Sequence, residues 1–201
     1  MKVKICGLKT KEQVDVAVAY GADYLGFVFA KSKRQISPEK AKEITKNVPK
    51  EVKKVGVFVS PTQSDVEEII QRAGLDMVQI HGALTTENFS VPLIRAIPVD
   101  GMEQEKRMEE TAAEFLLFDA PPKQFVGGNG EVFDWQQLDT SAIKTKKIII
   151  AGGLTPENVQ QAKQRFDPYA VDVSSGVETN GVKDSTKIIA FLKKAKEEDH
   201  V

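Results

Sequence analysis

The sequence predicts one (β/α)8 barrel with a central eight-stranded parallel sheet spanning residues 1–201, and three observations predict it. Short runs rich in Val, Ile and Phe alternate with longer stretches of helical period, the pattern of βα units with parallel strands. Eight such units can be counted, and their apolar runs are short and nearly continuous, as strands buried on both faces must be. No Pro/Ser-rich linker or change of composition divides the chain, whose length sits near the lower limit of about 200 residues for this architecture. An open doubly wound sheet is disfavoured because the turn after the first strand reads Cys6-Gly7-Leu8-Lys9. That is not the Gly-x-Gly-x-x-Gly of a dinucleotide loop.

The expected strands are Val3–Ile5, Tyr24–Phe29, Lys54–Phe58, Met77–Ile80, Leu93–Ile97, Phe115–Phe118, Lys147–Ile150 and Ala170–Val173. After the first, Thr10–Tyr20 sets Val14, Ala17 and Val18 on one face, and Gly21 closes the helix. Ser37-Pro38, Ser60-Pro61 and Thr155-Pro156 each read as an N-cap followed by proline at the first helical position. Thr85–Pro92 carries the weakest helical pattern of the eight. Asp134 is expected to cap a sixth helix, and Val182–Lys196 to form the last, with Ile188, Ile189 and Leu192 as its apolar stripe.

Bulk composition narrows the function. A net charge of -1 supplies no field to draw nucleic acid or a membrane surface, so an anionic ligand must be held locally. No stretch approaches the roughly 20 apolar residues of a membrane span. Met1-Lys2-Val3-Lys4 runs straight into a strand without an apolar leader, so a cytoplasmic protein is expected. One cysteine permits no internal disulfide, and two histidines offer no zinc spacing, so no metal is expected.

Chemistry is expected at strand ends, where the loops of a parallel barrel gather. Cys6 ends the first strand pattern, and Asp119 follows the four apolar residues Phe115-Leu116-Leu117-Phe118. A thiol and a carboxyl so placed suit an acid–base pair. Taken alone, a lone cysteine is more often a buried structural residue, and an aspartate after a strand is as often a cap. Gly152-Gly153 after the seventh strand and Ser174-Ser175-Gly176 after the eighth form paired loops where barrel enzymes commonly bind phosphate. Glycine lets backbone N–H groups approach an oxyanion, and serines add hydroxyl donors.

These motifs join in order with Lys4-Ile5-Cys6-Gly7, Gly26-Phe27-Val28-Phe29, Ser32-Lys33-Arg34, Gln79-Ile80-His81-Gly82, Gly127-Gly128-Asn129-Gly130, Phe133-Asp134-Trp135 and Val171-Asp172-Val173. From Lys2 to about Lys193 the chain closely resembles phosphoribosylanthranilate isomerases of tryptophan biosynthesis. The resemblance implies a cofactor-free Amadori rearrangement of N-(5'-phosphoribosyl)anthranilate, a small phosphorylated substrate, to 1-(2-carboxyphenylamino)-1-deoxyribulose 5-phosphate. It makes Asp119 the general acid at the ribose ring oxygen and Cys6 the general base at sugar C2. It also implies that Arg34 holds the anthranilate carboxylate, that His81 shapes the site, and that the loop with Gly128 acts as a lid. Asn129 departs from the smaller hydroxyl residue that relatives often carry. Asp172, by alternation with Ser174, faces the ligand side, and relatives occur as monomers and homodimers.

A base that must be ionised beside an acid that must be protonated requires a thiol pushed down and a carboxyl pushed up. Lys4, on the same side of its strand as Cys6, is one cation placed to lower the thiol, and burial behind Phe118 is expected to raise Asp119. Three rivals are weighed, and Cys6 favours the tryptophan-pathway substrate over the first of them. The histidine-pathway isomerase of the same reaction type would carry aspartates at both strand ends. Indole-glycerol phosphate synthase would need a lysine acid inside the barrel and a longer N-terminal segment. A phosphate-binding sensor would use the two loops without turnover.

Overall fold

The computed structural model describes residues 1–99, 104–119, 138, 140, 143 and 145–197. Eight strands close into a parallel barrel, each hydrogen-bonded to the next in sequence and β8 back to β1. They are β1 (Lys2–Cys6), β2 (Tyr24–Val28), β3 (Lys53–Val59), β4 (Met77–His81), β5 (Leu93–Pro98), β6 (Phe115–Asp119), β7 (Lys147–Ile150) and β8 (Ala170–Val173). The described helices are α1 (Lys11–Ala19), α2 (Pro38–Ile44), α3 (Gln63–Ala73), α4 (Gln104–Glu110), α5 (Val159–Phe166) and α6 (Ser185–Lys196). None is long and apolar enough to cross a membrane.

Strand alternation divides the apolar residues into two cores. Outward residues such as Ile5, Phe27, Phe58, Ile80 and Leu116 join Val14, Ile70 and Phe191 of the helices in one cluster. Inward residues Tyr24, Val55, Met77, Ile94, Phe115, Leu117 and Ile149 fill the barrel. Among the inward positions nearer the carboxyl ends are Lys4, Gln79 and Asp172, all buried and polar. Apolar filling therefore plugs one end, and chemistry-bearing side chains occupy the other.

Several local expectations are corrected. No helix occupies Thr85–Pro92; its backbone is held instead by α3, with Gln63 donating to the Asn88 carbonyl and Glu67 accepting from the Ser90 N–H and hydroxyl. Ser60 does not cap α3. It adopts a left-handed backbone (φ 44°), its N–H donates to the His81 carbonyl, and its hydroxyl accepts from the Ala83 N–H. Thr62 caps α3 two residues later.

Thr155 opens a turn rather than α5 itself, its carbonyl accepting from the N–H groups of Asn158 and Val159. The segment Val182-Lys183 is not helical. It forms β10, pairing antiparallel with β9 (Glu178–Thr179), and Asp184 caps α6. Asn180 (φ 53°) and Gly181 (φ 77°) make the turn between them, as an Asn-Gly pair with both residues left-handed does in a two-residue hairpin. The expected Asp134 cap lies outside the described residues.

Candidate active site

Cys6 ends β1 and is buried, with Gly7 (φ 81°) turning the chain away immediately after it. Gly7 is required twice over, because a Cβ there would also lie 2.7 Å from Arg34 Cδ. Gly26 faces Cys6 across the β1–β2 pair. A Cβ at Gly26 would sit 2.9 Å from Cys6 Sγ and 3.0 Å from Lys4 Nζ, so the missing side chain leaves room for both.

Lys4 is fully buried and pairs with Asp172 at 3.0 Å, joining β1 to β8 across the seam that closes the barrel. Burial opposes the ammonium, but Asp172 and Cys6 outweigh it and raise its pKa. For the thiol the balance is reversed. Burial pushes Cys6 up, and Lys4 and Lys183 pull it down without prevailing. The expectation of a thiol already lowered in the free protein is therefore corrected: Lys4 is in place, and desolvation wins.

His81 ends β4 beside Gln79, whose Nε2 lies 2.8 Å from His81 Nε2. Burial and the Lys4 charge lower its pKa to about 4, so its ring stays neutral near pH 7. Gln79 Oε1 is buried without a hydrogen-bond partner among the described residues. Asp119 ends β6, half-buried. It follows Phe115 and Leu117 in the inward alternation, which places it on the barrel's interior side.

The two glycine- and serine-bearing loops lie against each other. A Cβ at Gly176 would fall 1.8 Å from the Leu154 carbonyl oxygen, so only glycine permits that approach. Gly152 (φ 79°) and Gly153 (φ 69°) are both left-handed. Asn158 pins their loop, donating to the Gly153 carbonyl and accepting from the Thr155 N–H. The Ser174 hydroxyl donates to the Cys6 carbonyl at 3.3 Å, tying the eighth loop to the end of β1. Ser175–Val177 form a short 3-10 turn.

The chain matches the family model of N-(5'-phosphoribosyl)anthranilate isomerases over residues 3–194. The isomerase of Streptococcus mutans is 53% identical over 198 residues, 97% of this chain and 98% of that protein. The chain belongs to this family. The phosphoribosylanthranilate isomerase of Thermotoga maritima superposes with a TM-score of 0.85 at 36% identity, covering 98% of each chain. A family structure in complex with reduced 1-(o-carboxyphenylamino)-1-deoxyribulose 5-phosphate superposes at 0.82, also with 36% identity and 98% coverage of both chains.

Within this isomerase fold Arg34 is not a loose loop cation. Its Nε and Nη2 donate to the two carboxylate oxygens of Glu178 at 2.6 and 2.8 Å. Glu178 also receives Lys183 Nζ at 2.5 Å. Burial raises this carboxylate, yet the bonds from Arg34 and Lys183 hold it down at about 2. Sequence reasoning missed Glu178 and Lys183. The Asn180-Gly181 turn was the signal that could have found them, since it sets Lys183 opposite Glu178 in the ladder. Gly128 and Asn129, expected in a lid, lie outside the described residues.

Proposed function

We propose that the chain isomerises N-(5'-phosphoribosyl)anthranilate to 1-(2-carboxyphenylamino)-1-deoxyribulose 5-phosphate by acid–base catalysis from Cys6 and Asp119. Family membership over nearly the whole chain, together with these two groups at inward strand ends, carries the reading.

Protonated Asp119 delivers its proton to the ribose ring oxygen as the bond from that oxygen to C1 breaks. The nitrogen lone pair forms the Schiff base, and the ring oxygen leaves as the C4 hydroxyl. The Cys6 thiolate then takes the C2 proton, and the C–H electron pair moves toward C1 to give an enolamine. Loss of the enol proton and protonation at C1 yield the ketone. Lys4 stabilises the thiolate, since its charge is the largest single effect favouring that form. Arg34 binds the anthranilate carboxylate through a planar fork.

Gly152, Gly153, Ser174, Ser175 and Gly176 hold the phosphate, supported by the pressed contact between their loops. Asp172 anchors Lys4 beside the sugar, and His81 remains a neutral hydrogen-bonding wall. A reducing cytoplasmic setting suits an enzyme whose one thiol must stay free.

Loss of anthranilate-type fluorescence from freshly generated N-(5'-phosphoribosyl)anthranilate tests the reading. Cys6→Ala and Asp119→Asn are each expected to lower kcat by a factor on the order of 10²–10⁴ while binding persists. Wild-type turnover in either variant removes that residue from its role. No turnover above background in the unaltered protein would favour a phosphate-binding barrel.

A further inference from the structure

The hairpin between β8 and α6 supplies neither the proposed acid nor the proposed base, yet it carries two buried charged side chains, one bonded to Arg34 and the other to Ser174. Glu178 occupies the Nε/Nη2 side of the Arg34 guanidinium with two parallel hydrogen bonds, at 2.6 and 2.8 Å. The Nη1 end is not engaged by Glu178. A guanidinium has five donors, so one carboxylate on its side still leaves the Nη1/Nη2 edge for a second planar carboxylate. Lys183 lies across the ladder from Glu178 and is itself buried. Its Nζ donates to Glu178 Oε1, to the Ser174 carbonyl at 2.9 Å and to the Ser174 hydroxyl at 3.3 Å. Lys187 adds a bond to the Glu178 carbonyl at 2.8 Å.

We propose that Glu178 is a positioning residue for substrate recognition: held by the hairpin and by Lys183, it fixes the Arg34 guanidinium at a set distance from the phosphate loop, with one edge presented to the substrate carboxylate. The inference rests on the reading of Arg34 as the carboxylate ligand. Side-chain freedom explains why such a brace matters. An arginine alone on a loop would lose several rotors on binding, whereas one already fixed is ordered before substrate arrives. Because Ser174 and Glu178 share Lys183, the spacing between the two anion-binding ends of the site is set within one hairpin.

The test is a kinetic cycle of Glu178→Gln, Arg34→Ala and the double variant on N-(5'-phosphoribosyl)anthranilate, with thermal melting run in parallel. Glu178→Gln is expected to raise KM by about 10²-fold with kcat within a few-fold of wild type, because a misplaced binding group costs about that much. In the Arg34→Ala background the same change is expected to add almost nothing. A lower KM in Glu178→Gln would overturn the proposal, by making Glu178 a competitor for the fork. Full additivity in the double variant, or a silent Glu178→Gln beside a costly Arg34→Ala, would overturn the brace and leave the carboxylate reading standing. Unchanged kcat/KM in Arg34→Ala would overturn both. Should Glu178→Gln fail to fold, Glu178→Asp keeps the charge and shortens the reach. It is expected to show the same rise in KM, and a wild-type KM there would overturn the brace.

Discussion

At Cys6 two opposed effects meet in one thiol. Burial raises it, and Lys4 beside it lowers it, with Asp172 adding a smaller opposing push. Alkylation by iodoacetamide in the free protein is therefore expected to be slow at pH 7 and to increase only at a pH more alkaline than an ordinary thiol needs. Replacing Asp172 with Asn is expected to move that profile toward acid. Adding Lys4→Met to Asp172→Asn is expected to move it back toward alkali, and an identical profile for the single and double variants would dismiss Lys4 as the stabilising cation. Lys4→Met alone should cost about 3–5 kcal/mol of stability, since it leaves Asp172 buried without its ion-pair partner. Urea unfolding measures it.

Among the elements, loops and caps have different jobs. α1 begins with a reciprocal cap, the Thr10 side chain accepting from the Gln13 N–H while the Gln13 side chain reaches back to the Thr10 N–H. Thr10→Ala is expected to destabilise by about 1 kcal/mol, a fall in Tm of roughly 2–4 °C by calorimetry, with kcat unchanged. Gly176→Ala should do the reverse. Its methyl group meets the Leu154 carbonyl, so the loops after β7 and β8 must part. KM for the phosphorylated substrate, and competitive inhibition by inorganic phosphate, are expected to weaken by tenfold or more while the fold persists. Wild-type inhibition by phosphate would remove these loops from the phosphate site. The hairpin β9–β10 was legible in Asn180-Gly181, but Val182 and Lys183 also fit the amphipathic run into α6. The competing pattern wins in a sequence and loses in the structure because Asp184 caps the helix, accepting from the N–H groups of Thr186 and Lys187.

Across the whole molecule, charge placement sets an acid limb of stability. Glu178 titrates at about 2 when folded, below its ordinary 4.5, and His81 at about 4, below 6.5. For both, the unfolded chain holds more protons in the interval between the two values, so stability rises with pH there. The protein is expected to lose stability from about pH 6.5 down to pH 4 through His81, and from about pH 4.5 toward pH 2 through Glu178. Glu178→Gln should flatten the lower interval and leave the upper one. Denaturant midpoints measured from pH 7 to pH 3 check both, and an unchanged slope below pH 4.5 would show that Glu178 is not held by Arg34 and Lys183.

The eight strands were readable because near-continuous apolar runs such as Phe115-Leu116-Leu117-Phe118 are local, and a parallel barrel buries both faces of each. The positions of Cys6, Asp119, Gly152 and Ser174 at strand ends followed from the same runs. What the chain order could not state was distance between parts far apart in sequence. Ser60, read as a cap from Ser-Pro, is taken by the backbone of the loop after β4. Lys4 and Asp172 are 168 residues apart and meet only when β8 closes on β1. Arg34 finds Glu178 144 residues away by the same closure. Whether the thiol rises or falls depends on how far water is excluded against how near a lysine stands. Local patterning thus determined the barrel and the candidate groups, whereas the partners and ionisation of those groups were decided by tertiary packing, because burial and charge act through space.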